Sequence, residues 1–250
     1  MGKVLALVVL LGACGGKAAG HRATGALRLK AGDVAGALSE LRAAVQVDAA
    51  DPEAWALLGN ALFEAQRYEE AERSYRTALE LHPGSGPVRR SLAQLAVRRG
   101  RLPEAERLLR ELVGATPRDP DLLLALGSLL SARGDLGGAR AAFQQALAAA
   151  PRHPAALYDL GRAQLRAGDL AGAQAAFERL EEVAPHAPYA PYGLALVHAR
   201  RHEHEPACAK LLEALSRAPF DRRGAERDPE LTPVRHLPCF SLLTAREGRP

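Results

Sequence analysis

The feature that most limits what this chain can fold into is an alanine that returns every 34 residues, at Ala37, Ala71, Ala105, Ala139, Ala173 and Ala207. Each is accompanied by a small residue upstream (Gly25, Gly59, Ala93, Gly127, Gly161, Ala195) and a large one four places downstream (Leu41, Tyr75, Leu109, Phe143, Phe177, Leu211). The helix-stop position of each window holds Ala49, then Pro83, Pro117, Pro151, Pro185 and Pro219. Two antiparallel helices approach closely only where one offers Gly or Ala for the other's bulky residue, and a proline ends the second helix. Between the two helices stand Ala31-Gly32-Asp33, Arg99-Gly100-Arg101, Arg133-Gly134-Asp135 and Ala167-Gly168-Asp169. A helix-ending Gly before a helix-starting Asp is what such a turn needs. Six windows follow in tandem without insertion or deletion: 18–51, 52–85, 86–119, 120–153, 154–187 and 188–221.

Within 52–85 the residues Trp55, Leu58, Gly59, Leu62, Ala71, Tyr75, Ala78 and Pro83 complete the pattern. This window resembles the tetratricopeptide repeat at every diagnostic place but one, where Leu62 stands for an aromatic. The resemblance implies an all-α fold, a right-handed α-solenoid of six 34-residue helical hairpins, closed by a capping tail over 222–250. In such arrays each unit touches only its neighbours, so a length of 250 residues does not set a domain count. Ala, Leu, Arg and Glu favour helix throughout, and with aromatics at 4% the packing must rest on Leu against Ala and Gly. A net charge of +4 is too mild to argue for nucleic acid.

The first twenty residues read differently. Lys3 gives a positive start, Val4 to Leu11 is unbroken apolar sequence, and Leu11-Gly12-Ala13-Cys14 follows. As a helix the run would span about 12 Å, against roughly 30 Å of bilayer hydrocarbon, so residues 1–13 read as a secretory signal. The Leu-Gly-Ala-Cys ending resembles the lipobox of bacterial lipoproteins. That resemblance implies cleavage before Cys14, acylation of that residue, and a short linker, 14–17, to the first repeat. Gly15 after the cysteine implies the outer membrane, facing the periplasm. An ordinary signal cut elsewhere, or a mis-assigned start of a cytosolic protein, are the alternatives. A phosphate loop at Gly12 to Lys17 fails, because its spacing is one short and Ala18 stands where Ser or Thr is required. The first window is degenerate, with His21, Thr24 and Arg28 in its large slots, as a polar terminal cap would be.

By the geometry of the family, the first helix of each pair lines a groove. The groove positions here include Asn60, Phe63 and Glu64; Arg90, Gln94 and Arg98; and Asp121, Ser128 and Ser131. Tyr158, Arg162 and Arg166, then Tyr189, Tyr192 and Arg200, continue the series. Arg mixed with Tyr and amides suits an extended peptide or a partner helix. The carboxylate clamp of the chaperone-binding subclass is incomplete: Asn60 and Arg90 fit, but Arg22, Ala26 and Ser91 do not.

In the sixth window His198, His202 and His204 are spaced so that a metal is conceivable, yet there is no HExxH, and a solvated histidine turn is the plainer reading. In an oxidising compartment Cys208 and Cys239 are permitted to pair, which would tie the tail to the sixth repeat; otherwise they are two separate buried thiols. No nucleophile elbow, carboxylate pair or supported Cys/His arrangement stands out, and neither a cofactor nor a small-molecule substrate is expected. The expected activity is non-enzymatic: a lipid-anchored scaffold that holds a protein partner. Type IV pilus pilotins, lipoproteins built mainly of six such repeats, offer a sharper form of this reading. A regulator or assembly factor for envelope and cell-wall enzymes, or a cytosolic adaptor, are the others.

Overall fold

The computed structural model describes residues 2–217 and 221–244, with side chains over 16–217 and 221–241. Among the described residues every regular element is helical. The first helix, α1, is Gly2–Lys30, and α2 is Val34–Val47. Then come α3 (Pro52–Glu64), α4 (Tyr68–Leu81), α5 (Gly86–Arg98), α6 (Leu102–Ala115), α7 (Pro120–Ala132) and α8 (Leu136–Ala149). The last two full pairs are α9 (Pro154–Arg166) with α10 (Leu170–Val183), and α11 (Tyr189–Arg200) with α12 (His204–Ser216). The tail adds α13 (Arg222–Arg227), a single 3₁₀ stretch (Pro229–Val234) and α14 (Pro238–Thr244). Second helices begin at 34, 68, 102, 136, 170 and 204, so the alanine ladder is a ladder of helical hairpins.

The chain forms two compact units, Met1–Leu112 and Val113–Pro250. In the first, α1 packs on α2, α2 on α3, α3 on α4 and α4 on α5. In the second, α7 packs on α8, and the succession continues through α12 to the tail. All six ladder alanines are at most 1% exposed. The backbone of α1 runs through the expected leader and the 14–17 linker into the first repeat without a break, while the Cys14 side chain lies outside the described residues. Among the described residues, no helix is long and apolar enough to cross a membrane.

The notch residues show why the pattern takes the form it does. A Cβ placed on Gly161 would lie 2.6 Å from Phe177 Cε1, and one on Gly127 2.5 Å from Phe143 Cε1. Where the facing residue is Leu109 or Leu211 instead of an aromatic, the notch is Ala93 or Ala195, so notch and knob trade volume. Only Gly25 departs, facing Leu41.

The turns follow a second ladder. Gly32, Gly100, Gly134 and Gly168 have φ between +72° and +86°, the left-handed conformation that glycine adopts without a Cβ penalty. The matching positions of the second and sixth repeats hold Gln66 (φ 59°) and His202 (φ 58°), side chains that carry that penalty. Aspartates cap the following helices: Asp33, Asp135 and Asp169 each accept the amide of the residue three places on, at 2.9 Å. The expected helix stops lie two residues past the ends of α4, α6, α8 and α10, at Pro83, Pro117, Pro151 and Pro185; Pro219 falls outside the described residues.

Candidate functional site

In the second unit α7, α9 and α11 present their side chains to one recess of about 470 Å³. Ser128 and Ser131 line it from α7, Tyr158, Asp159, Arg162 and Arg166 from α9, and Tyr189 and Tyr192 from α11. All of these but Asp159 are groove positions named from the repeat register. The Tyr158 ring lies 5.6 Å from that of Tyr189 and 6.0 Å from that of Phe177, in tilted contacts. Ser128 Oγ donates to Asp159 Oδ2 at 3.0 Å. Burial raises the Asp159 carboxyl above its ordinary value, a shift that the Ser128 hydroxyl and the charges of Arg162 and His153 only partly oppose. Arg166 Nη1 donates to the carbonyl and hydroxyl of Ser131 at 3.1 and 3.0 Å, and its guanidinium stays exposed.

The remaining wall comes from the tail. Asp221, Gly224, Ala225 and Asp228 close the recess. Asp228 is 7% exposed; its Oδ2 accepts from Arg162 Nη1 and from Tyr192 Oη, the latter at 2.8 Å. Its Oδ1 accepts the amide of Glu230 at 3.0 Å, starting the 3₁₀ stretch. Burial by itself would raise the Asp228 carboxyl, but the Arg162 guanidinium and the donated hydrogen bonds outweigh it and leave the pKa below the usual carboxylate range. The same burial and the neighbouring Asp228 charge push the Tyr192 hydroxyl well up. Arg200 pairs with Glu230 at 2.7 Å, while Leu231 and Val234 are fully buried, the 3₁₀ stretch lying on α11 and α12. Cys239 of α14 is disulfide-bonded to Cys208 of α12.

The tail therefore does more than cover the last repeat: it reaches back to α9. The sequence reading missed Asp228 because its partners Arg162 and Tyr192 precede it by 66 and 36 residues and no local pattern links them. Tyr192, expected as an open groove residue, is 6% exposed for the same reason. The expected residues of the first unit are placed differently. Asn60 Oδ1 accepts from Tyr75 Oη at 2.9 Å and from Ser91 Oγ at 3.5 Å, joining α3, α4 and α5. Phe63 packs against Tyr68 with rings 5.7 Å apart, Arg90 is half-buried, and Gln94 and Arg98 are exposed. The three imidazoles of the sixth window are spent separately. His198 pairs with Glu203 at 2.5 Å, His202 occupies the left-handed turn position, and His204 packs edge-on against His236 with ring centres 5.5 Å apart.

Comparison with known proteins agrees with this architecture. Residues 27–157, just over half of the chain, match the family described as the cytochrome c-type biogenesis protein H TPR domain, and residues 130–197 match a tetratricopeptide repeat family. No curated protein matches the chain. Among solved structures it is similar to pilF of Pseudomonas aeruginosa, with a TM-score of 0.70 at 16% identity over 86% of this chain and 97% of that one. It is also similar to PilW, described as a widely conserved type IV pilus biogenesis factor, with a TM-score of 0.71 at 19% identity over 82% and 94%. A chain of an APC/C hetero-tetramer gives a TM-score of 0.65 at 21% identity over 84% of this chain, which spans 42% of that larger one. Hairpin ladder, small-residue notches and family match lead to one conclusion: the chain belongs to the tetratricopeptide-repeat proteins of the cytochrome c-type biogenesis protein H TPR family.

Proposed function

We propose that this protein is a non-enzymatic scaffold, lipid-anchored at Cys14 and facing the periplasm, that holds a protein segment in the recess of α7, α9 and α11. One observation carries the binding part: two arginines and three tyrosines from successive first helices line a single recess. Tyrosine offers broad contact area at low entropic cost, and arginine adds directional hydrogen bonds, which is the composition of protein-binding surfaces. The anchor rests on the Leu11-Gly12-Ala13-Cys14 ending after a short apolar run. A photo-crosslinker at the exposed Tyr189 should capture a discrete envelope protein, and palmitate labelling should vanish in Cys14→Ser. Absence of any crosslinked partner would overturn the scaffold reading; labelling that survives would overturn the anchor.

Two pathways follow from different observations. Near-complete coverage of the pilF and PilW structures favours a pilotin-like role in assembling the type IV pilus secretin. The family match over 27–157 favours a role in cytochrome c assembly instead. A deletion strain separates them: loss of secretin multimers with normal c-type haem staining supports the first, and the reverse supports the second. A regulator of cell-wall enzymes would leave both unchanged.

A further inference from the structure

We propose that the partner enters the recess with a carboxylate, and that Asp228 of the tail is an internal occupant of the site that this carboxylate displaces. The inference rests on the scaffold reading above and deepens it by stating the chemistry of the partner: an acidic protein segment with apolar side chains three and six residues after its carboxylate.

The tail is seated on the repeats as a ligand would be. Its charge meets a cation and a phenol from two different helices, Arg162 and Tyr192, and Leu231 and Val234 are fully buried beside it. The stretch Asp228-Pro229-Glu230-Leu231-Thr232-Pro233-Val234 thus displays what the surface accepts: a carboxylate, then apolar groups at the third and sixth following positions. Next to it the recess stays open, and the Arg166 guanidinium there hydrogen-bonds to Ser131 and makes no ion pair among the described residues. An incoming acidic segment can engage Arg166 first and then compete with Asp228 for Arg162. The Cys208–Cys239 bond fixes the chain beyond the 3₁₀ stretch, so that stretch can lift away while the far end of the tail stays attached. A site occupied from within lowers the apparent affinity of any partner to the intrinsic affinity multiplied by the fraction of molecules in which the site is empty.

The test uses the full chain in detergent and a fluorescent, end-blocked peptide with the sequence of residues 225–236. Asp228→Asn should raise affinity for this probe by about tenfold or more. Adding Arg162→Ala should abolish the gain, and a probe with Asn in place of its aspartate should show none. Equal affinity for the wild type and Asp228→Asn, or a gain that survives Arg162→Ala, overturns the proposal. Should the variants fold poorly, hydrogen exchange on the wild type decides. Excess probe should speed exchange at the amides of 230–234 and slow it in α9, whereas unchanged rates overturn the proposal. Arg162-dependent probe binding with no partner crosslinked at Tyr189 sinks the scaffold reading alone; a crosslinked partner without Arg162-dependent binding sinks only the internal occupant.

Discussion

Tyr192 donates its phenolic hydrogen to Asp228 at 2.8 Å, across 36 residues of chain, inside a site that also receives Arg162. This contact joins the tail to a first helix of the repeats and makes the tail part of the recess wall. A buried carboxylate is tolerated only with charge-assisted partners, and all of those for Asp228 come from outside its own helix-sized neighbourhood apart from the amide of Glu230.

Two acids of the recess, Asp159 and Asp228, respond to pH with opposite sign. The pKa of Asp159 is raised, so lowering the pH toward the free-carboxylate value of about 4 protonates a strained group and adds stability. The pKa of Asp228 is lowered, so its contribution is complete above about 4 and is lost as pH falls through its folded value. Protection of the amides of Glu230, Leu231, Thr232 and Val234 from hydrogen exchange, relative to an unstructured chain at the same pH, should therefore hold down to about pH 4 and then fall. In Asp159→Asn the earlier gain in global stability should disappear and the later loss of protection should remain.

Gly161→Ala should destabilise the second unit by about 1–3 kcal/mol in denaturant melts, because the new methyl meets the Phe177 ring and the close-packed hairpin has no room to yield. Phe177 also faces Gly193, so the ring is confined from α9 and α11 at once. The combined variant Gly161→Ala with Phe177→Leu, copying the Ala93 and Leu109 pairing, should recover at least half of that loss.

His202→Gly should stabilise the protein by about 0.5 kcal/mol. Relief of the left-handed penalty, roughly 1–2 kcal/mol, exceeds the extra chain entropy that glycine gives the unfolded state. Gln66→Gly should act likewise in the first unit. His198→Gly, in the body of α11, should instead destabilise by about 1 kcal/mol.

Glu72, 7% exposed on α4, accepts from Arg99 at 2.7 Å and from Arg101 at 2.8 Å, and also pairs with Arg76. The hydrogen bonds from Arg101 lead the effects that hold its carboxyl below the usual range. Glu72→Ala should cost about 1–2 kcal/mol, since it removes the buried carboxylate that Arg99 and Arg101 share and leaves them only the more exposed Glu69 and Glu104, at 2.8 and 3.0 Å; the largely exposed Arg76 adds little. Glu72→Gln should recover part of the loss by keeping acceptors. Denaturation of the two variants side by side checks the order.

The hairpins were legible in the sequence because each is held by contacts within one 34-residue window: a notch, a knob and a left-handed turn residue, with an aspartate cap added in the first, fourth and fifth. Such short-range constraints recur with the period and announce themselves six times. The first helices as a lining surface, and with them Ser128, Tyr158, Arg162, Arg166 and Tyr189, followed from the same register. Tertiary structure alone decided what occupies that surface. The tail repeats nothing, so no periodicity could place Asp228 against Arg162 and Tyr192, or show that Asn60 serves three helices of the first unit. The pairing of Cys208 with Cys239 likewise depends on where the non-repeating segment comes to rest. Local sequence sets the hairpins because their energies are local; the site depends on where the non-repeating tail comes to rest on the repeats, and only the folded chain fixes that.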